Sequence, residues 1–142
     1  MTESAPPLPA DLRRILSTWE EGWRRLDRAL LESVWDTSYP HLVYVAEERH
    51  EPLLEWPAIQ EYYRFTTEIM EWFEVSFEPV CADILGKTAW VLSTGRWRGK
   101  SHQRNTQSSG VARVYLLARR QGPEWKAIHY IEAPVNLTYA EV

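Results

Sequence analysis

Residues 110–134, GVARVYLLARRQGPEWKAIHYIEAP, restrict the fold of this chain more than any other stretch. Two runs rich in β-branched, aromatic and aliphatic residues flank Arg120-Gln121-Gly122-Pro123-Glu124, and the Gly-Pro dipeptide marks a turn. The pattern predicts a β-hairpin. Side-chain pairing proposes a register: with Arg113 opposite Glu132, Tyr115 falls opposite Tyr130, Leu117 opposite Ile128 and Arg120 opposite Trp125. Opposite charges and aromatic pairs directly across a ladder each stabilise by roughly 0.2–1 kcal/mol, which favours this register. A slip of one residue would turn over the faces of a whole strand. One face then carries Arg113, Tyr115, Leu117, Ile128, Tyr130 and Glu132. The other carries Ala112, Val114, Leu116, Ala118, Ala127, His129, Ile131 and Ala133, nearly all small or apolar. That second face must pack on helices of this chain or on another subunit. The first is either solvated or the wall of a polar pocket.

The rest of the chain supplies helices and further strands. In residues 10–35, Leu12, Ile15, Leu16, Trp19, Trp23, Leu26, Leu30 and Val34 recur at spacings of three and four, which predicts a long amphipathic helix. Gly22 and Asp27 are the points where it would bend or split. If this helix covers a pocket, Trp23 lines it. Residues 41–46, HLVYVA, predict a short strand with Tyr44 on the opposite face from Val43 and Val45. The charged run Glu47-Glu48-Arg49-His50-Glu51 is either a solvated turn or the source of one carboxylate, Glu47 or Glu48, turned into a cavity as a general base. That role needs a pKa raised by burial. Trp56-Pro57 opens a second helix, with proline in the first turn where its missing N–H does no harm. Adjacent Tyr62 and Tyr63 cannot point the same way, so one is packed and the other lies nearer a rim. Residues 73–82 alternate as a strand with Pro79 marking an edge or bulge, and residues 87–99 form another with Gly95 at a kink. Residues 100–109 are a polar connection or the arm of a long hairpin. Helices first and a meander last indicate an α+β domain with helices on one side of a curved sheet.

A single domain over residues 10–142, after a flexible lead-in at 1–9, suits 142 residues that are 44% hydrophobic and 25% charged. No apolar run approaches a membrane span, and MTESAPPLPADLRR lacks the apolar core of a signal peptide, so a cytoplasmic location and no membrane partner are expected. Cys81 is the one cysteine, which excludes an internal disulfide and a thiolate metal cluster. A net charge of −4 gives no support for a nucleic-acid partner. There is no Gly-rich phosphate loop, no metal-ligand spacing and no nucleophile elbow, so no cofactor and no metal is implied. His41, His50, His102 and His129 fall on separate segments. Asn136-Leu137-Thr138 fits a glycosylation sequon that a cytoplasmic chain would not use. Eight Trp and seven Tyr exceed the needs of a small core and suit pockets or interfaces, where a large apolar ring and a polar tip are both used.

Three segments carry a resemblance to a known superfamily: Trp19-x3-Trp23-x3-Asp27, Trp56-Pro57-Ala58-Ile59 with Tyr62-Tyr63, and Arg113-Val114-Tyr115 through Trp125-Lys126-Ala127-Ile128-His129 to Glu132-Ala133-Pro134. They resemble the nuclear transport factor 2-like superfamily, in particular its SnoaL-like branch, which includes ketosteroid isomerases, polyketide cyclases and kinase association domains. The resemblance spans residues 10–135. It implies a cone: a strongly curved mixed or antiparallel sheet wrapped around N-terminal helices, with a cavity at the open end, and a homodimer. Carried over by position, the cavity wall would include Ser93, Gly95, Trp97, Tyr115, Tyr130 and Glu132, with Arg113 on their face by strand alternation. The isomerase aspartate falls near Ala46, so Glu47 substitutes for it only if the loop shifts. The second histidine and the serine of the family's terminal stretch are Ile131 and Ala133 here.

These residues lead to a SnoaL-like enzyme performing proton transfer (isomerisation, cyclisation or dehydration) on an aromatic or polyketide-like compound. An apolar pocket with a few convergent polar groups is the default ligand site. Glu132 is the acid/base candidate and Glu47 the second, with Arg113 binding an anionic or enolate oxygen. Trp23, Tyr44, Tyr63, Ser93, Trp97, Tyr115 and Tyr130 form the substrate-binding wall. One fold hosts many functions. A non-catalytic dimeric module that binds a small molecule, and a structural dimerisation domain, are the alternatives.

Overall fold

The computed structural model of the chain describes residues 8–135; the sequon at Asn136 and most of the expected lead-in lie outside them. Two helices, α1 (Ala10–Arg25) and α2 (Arg28–Ser33), precede strand β1 (Val43–Val45) and helix α3 (Trp56–Ile69). Four long strands follow: β2 (Met70–Leu85), β3 (Thr88–Ser101), β4 (Ser108–Gln121) and β5 (Glu124–Pro134). They form one curved, unclosed sheet in the order β1-β5-β4-β3-β2, antiparallel throughout except where β1 runs parallel to β5. The helices fill its concave side. The polar stretch 100–109 is the arm of a long hairpin, with β3 and β4 joined by a turn at 102–107.

The single long helix expected over 10–35 is two helices. Leu26 takes a left-handed conformation with φ 50°, and the Asp27 side chain accepts from the Leu30 N–H to cap α2. The chain reverses there, and Gly22 makes room for Leu31: a Cβ on Gly22 would lie 2.8 Å from the Leu31 side chain. Pro57 occupies the first turn of α3, where no N–H is required. On edge strand β2 the pairing slips between Pro79 and Cys81, a bulge that leaves Val80 unpaired. Upstream of it, Glu20 of α1 accepts from the Phe77 N–H at 2.7 Å and Arg13 donates to the Phe77 carbonyl at 3.0 Å. Side chains of a helix thus satisfy edge groups that a further strand would otherwise use.

The hairpin register departs from the one side-chain pairing favours, and its faces change with it. Arg120 does oppose Trp125, but Ile128 is an extra residue in β5, so Leu117 pairs with His129, Leu116 with Tyr130 and Val114 with Glu132. The cause lies far off in sequence. Ala127 exchanges backbone hydrogen bonds with Val34 and Asp36, whereas β5 from His129 onward pairs with β1. The bulge accommodates the change of neighbour. Tyr130 and Glu132 therefore face inward beside Val114 and Leu116, while Arg113 and Tyr115 face outward. No Arg113–Glu132 pair forms; the Arg113 guanidinium donates to Thr94 on the outer face at 3.1 Å. Tyr115 stacks on Trp90 there, with ring centroids 6.0 Å apart.

The core is aromatic. Trp19 packs edge-on to Tyr130 and donates from its indole to the Leu31 carbonyl at 3.2 Å. Asp36 is buried against β4. Burial pushes its pKa up, but hydrogen bonds from Ser38, Arg119 and Gln121 outweigh that and lower it to about 2.

Candidate functional site

Strand alternation and the β5 bulge decide which side chains reach the interior. From β2, Phe73, Val75 and Phe77 point into the cone, and from β3 Gly95, Trp97 and Gly99 do; these residues pair across the two strands. From β4 come Ala112 and Val114, and from β5 Tyr130 and Glu132. Trp23 of α1, Tyr44 of β1 and Tyr62 of α3 close the opposite wall, and the turn after β1 brings Glu47 and Glu48. Together they enclose a cavity of about 400 Å³ whose lining is mainly apolar. A wider depression of about 720 Å³ between α1 and the outer parts of β2–β4 is lined by charged residues. Arg24 there pairs with Glu21, and Arg98 with Glu74. This groove is open to solvent and does not enclose a ligand.

Three carboxylates meet at the polar end of the cavity. The Glu47 backbone N–H donates to Glu132 Oε1 at 3.3 Å, and the Trp97 indole donates to Glu47 Oε1 at 3.0 Å. The Tyr62 hydroxyl donates to Glu48 Oε1. Glu47 Oε2 is buried with no hydrogen-bond partner among the described residues. Burial, with Glu48 and Glu47 adding like charge, pushes the Glu132 pKa up to about 7, outweighing hydrogen bonds from the Glu47 N–H and Tyr130. Burial also raises Glu47. The hydroxyls of Tyr44, Tyr62 and Tyr130 are pushed well above the usual phenol range, first by burial and then by neighbouring carboxylates and phenols, so they are proton donors. A carboxyl that titrates near neutrality can both take and return a proton.

The structure gathers Trp23, Tyr44, Glu47, Trp97, Tyr130 and Glu132 on this cavity. Tyr63 is fully buried behind it, accepting from the Trp35 indole at 3.0 Å. Ser93 is likewise fully buried and outside the lining, its hydroxyl without a partner among the described residues. Arg113 and Tyr115 lie on the outer face. Tyr62, Phe73, Phe77 and Arg104 line the cavity without having been singled out as site residues. The sequence signal for Tyr62 was its place beside Tyr63, which requires one of the pair to sit nearer the opening. Nothing in the sequence marked Arg104, which is exposed on the 102–107 turn.

No protein-family model and no curated protein matches the sequence. Solved structures do match the fold. A protein of Streptomyces avermitilis to which dehydratase activity is attributed superposes with a TM-score of 0.78 at 16% identity, covering 89% of this chain and 95% of that one. A nuclear transport factor 2-like superfamily protein of Salmonella enterica gives 0.79 at 11%, covering 89% and 90%. This chain has the nuclear transport factor 2-like fold. A ketosteroid isomerase-like protein of Erwinia carotovora gives 0.75 at 13%, covering 89% and 95%. Within this fold the helices and curved sheet form the cone that encloses the cavity, and Ala46 is buried next to Glu47.

Proposed function

We propose that this nuclear transport factor 2-like protein is a small-molecule enzyme of the SnoaL-like kind, performing proton-transfer chemistry on an aromatic or polyketide-like compound. The observation that supports it most is Glu132: a carboxyl titrating at about 7, inside an aromatic-walled cavity, beside a second carboxyl of raised pKa. Glu132 takes a proton from a substrate carbon, and the C–H electron pair moves into the adjacent π system. The proton returns to a different carbon in an isomerisation or cyclisation, or leaves with a hydroxyl as water in a dehydration. Glu47 holds Glu132 through its backbone N–H, and Trp23, Phe73, Trp97 and Tyr130 offer ring surface to an aromatic substrate. Dehydratase and isomerase-like proteins share this fold, which agrees with the proposal. Arg113 has no part in it, because it faces away from the cavity.

Glu132→Gln keeps the shape and removes the base. Turnover of any substrate found should fall by roughly 10²-fold or more. An unchanged rate would remove Glu132 from the chemistry. A non-catalytic binding module is the second proposal, favoured by one observation: Tyr62 and Trp97 already occupy oxygens of Glu48 and Glu47. In that case the ligand is recovered unaltered after incubation. A homodimer through the outer face of the sheet is proposed for either function.

A further inference from the structure

We infer that the ligand of this cavity carries a positively charged nitrogen, an ammonium or iminium, beside its aromatic ring. The inference rests on the cavity being the ligand site and names the class of compound it takes. Glu47, Glu48 and Glu132 share the polar end, and the one cationic side chain among the described lining residues, Arg104, is exposed on the 102–107 turn. The other nearby arginines are engaged elsewhere. Arg113 is on the outer face with Thr94, and Arg49 lies over the rings of Tyr62 and Phe65 at 5.2 and 5.5 Å from their centroids, outside the lining. No group of three His, Cys, Asp or Glu among the described residues is placed to hold a metal ion.

The walls beside the carboxylates fit the same ligand. Tyr44 sits 4.8 Å from Tyr130 and 5.0 Å from Tyr62, centroid to centroid, and Trp23, Phe73 and Trp97 continue the aromatic surface. Aromatic faces attract a desolvated cation through their quadrupoles, and several rings together form the cage that recognises quaternary and alkylated ammonium groups. Carboxylates partly drawn out of water, here Glu132 and Glu47, need a charge partner, and the one cation among the described lining residues is the exposed Arg104. Glu47 Oε2, buried without a donor among the described residues, is the clearest case. Above pH 7, where Glu132 is ionised, an anionic ligand would add repulsion at this end and a neutral one would leave the carboxylates uncompensated. A cationic nitrogen answers both. It would also draw electrons from a neighbouring C–H bond and so ease proton removal by Glu132.

Three probes of nearly equal size separate the possibilities: 2-phenylethylammonium, 2-phenylethanol and phenylacetate, titrated calorimetrically against the full chain at pH 8. The ammonium compound should bind about tenfold more tightly than the alcohol, the range of a desolvated cation on aromatic rings. Phenylacetate should be weakest. Glu132→Gln and Glu48→Gln, confirmed folded by thermal melting, should each weaken the ammonium compound more than the alcohol and so narrow the difference between them. Equal or tighter binding of the alcohol or the acid overturns the cationic ligand while leaving the proton-transfer proposal standing. Failure of all three to bind counts against the cavity as a ligand site, and so against both.

Discussion

Glu132 makes a function visible and a cost measurable at the same position. Its folded pKa, raised from 4.5 to about 7 chiefly by burial, means that the native state holds a proton the unfolded chain gives up. The sign follows from linkage: between pH 4.5 and 7 the folded state binds more protons, so stability falls as pH rises through that window. The full effect is roughly 3 kcal/mol. Glu132→Gln, which has no charge to desolvate, should therefore be more stable than the native chain at pH 8 by an amount of that order, and nearly equal to it at pH 5. Urea melts at the two values measure it; parallel stability profiles for the two proteins would show that Glu132 is not held in a desolvating site. Loss of activity with a gain in stability is the trade expected of a functional group. Asp36 is the structural counterpart. Its lowered pKa comes from donors that satisfy it completely, and it ties α2 to the β4–β5 hairpin.

Among the elements, the α1–α2 reversal is the tightest joint. Alanine at Gly22 gains up to about 1 kcal/mol of helix propensity. Against that, its Cβ would meet Leu31 Cδ2 at 2.8 Å and the Leu31 backbone nitrogen at 3.3 Å, and Leu31 is fully buried with nowhere to go. Overpacking wins, and Gly22→Ala should destabilise by about 1–2 kcal/mol in urea denaturation. A neutral or stabilising result would mean that α2 can slide away from α1. The β5 bulge acts on a larger scale. Without the extra residue at Ile128, Glu132 would share a face with Arg113 as side-chain pairing favours. With it, the carboxyl enters the cone and the guanidinium remains outside.

For the whole molecule, the outer face of the sheet decides the proposed assembly. Trp90, Leu92, Tyr115, Leu117 and Ile131 lie there half-buried, a contiguous apolar surface flanked by Arg113 and His129. Leu117→Glu would place a charge in the middle of it. Sedimentation should give a dimer for the native chain and a monomer for this variant; a native monomer at micromolar concentration would refute the proposal. Among the described residues no helix is long and apolar enough to cross a membrane. Helical spacing announced α3 and the helical run that divides into α1 and α2, strand alternation announced β2 to β4, and Pro79 and the Gly122-Pro123 turn announced where pairing would slip or reverse. All of these are local signals, set by a few neighbouring residues. Trp23, Tyr44, Trp97, Tyr130, Glu47 and Glu132 were legible as candidates because their chemistry suits a cavity wall. Which carboxylates meet, and that Arg113 turns away from them, depended on the partners of Ala127 and His129, about 90 residues earlier in the chain. Backbone hydrogen bonds between such distant segments outweighed the side-chain pairing that favoured the other register, and only their positions in space could set the direction of those side chains.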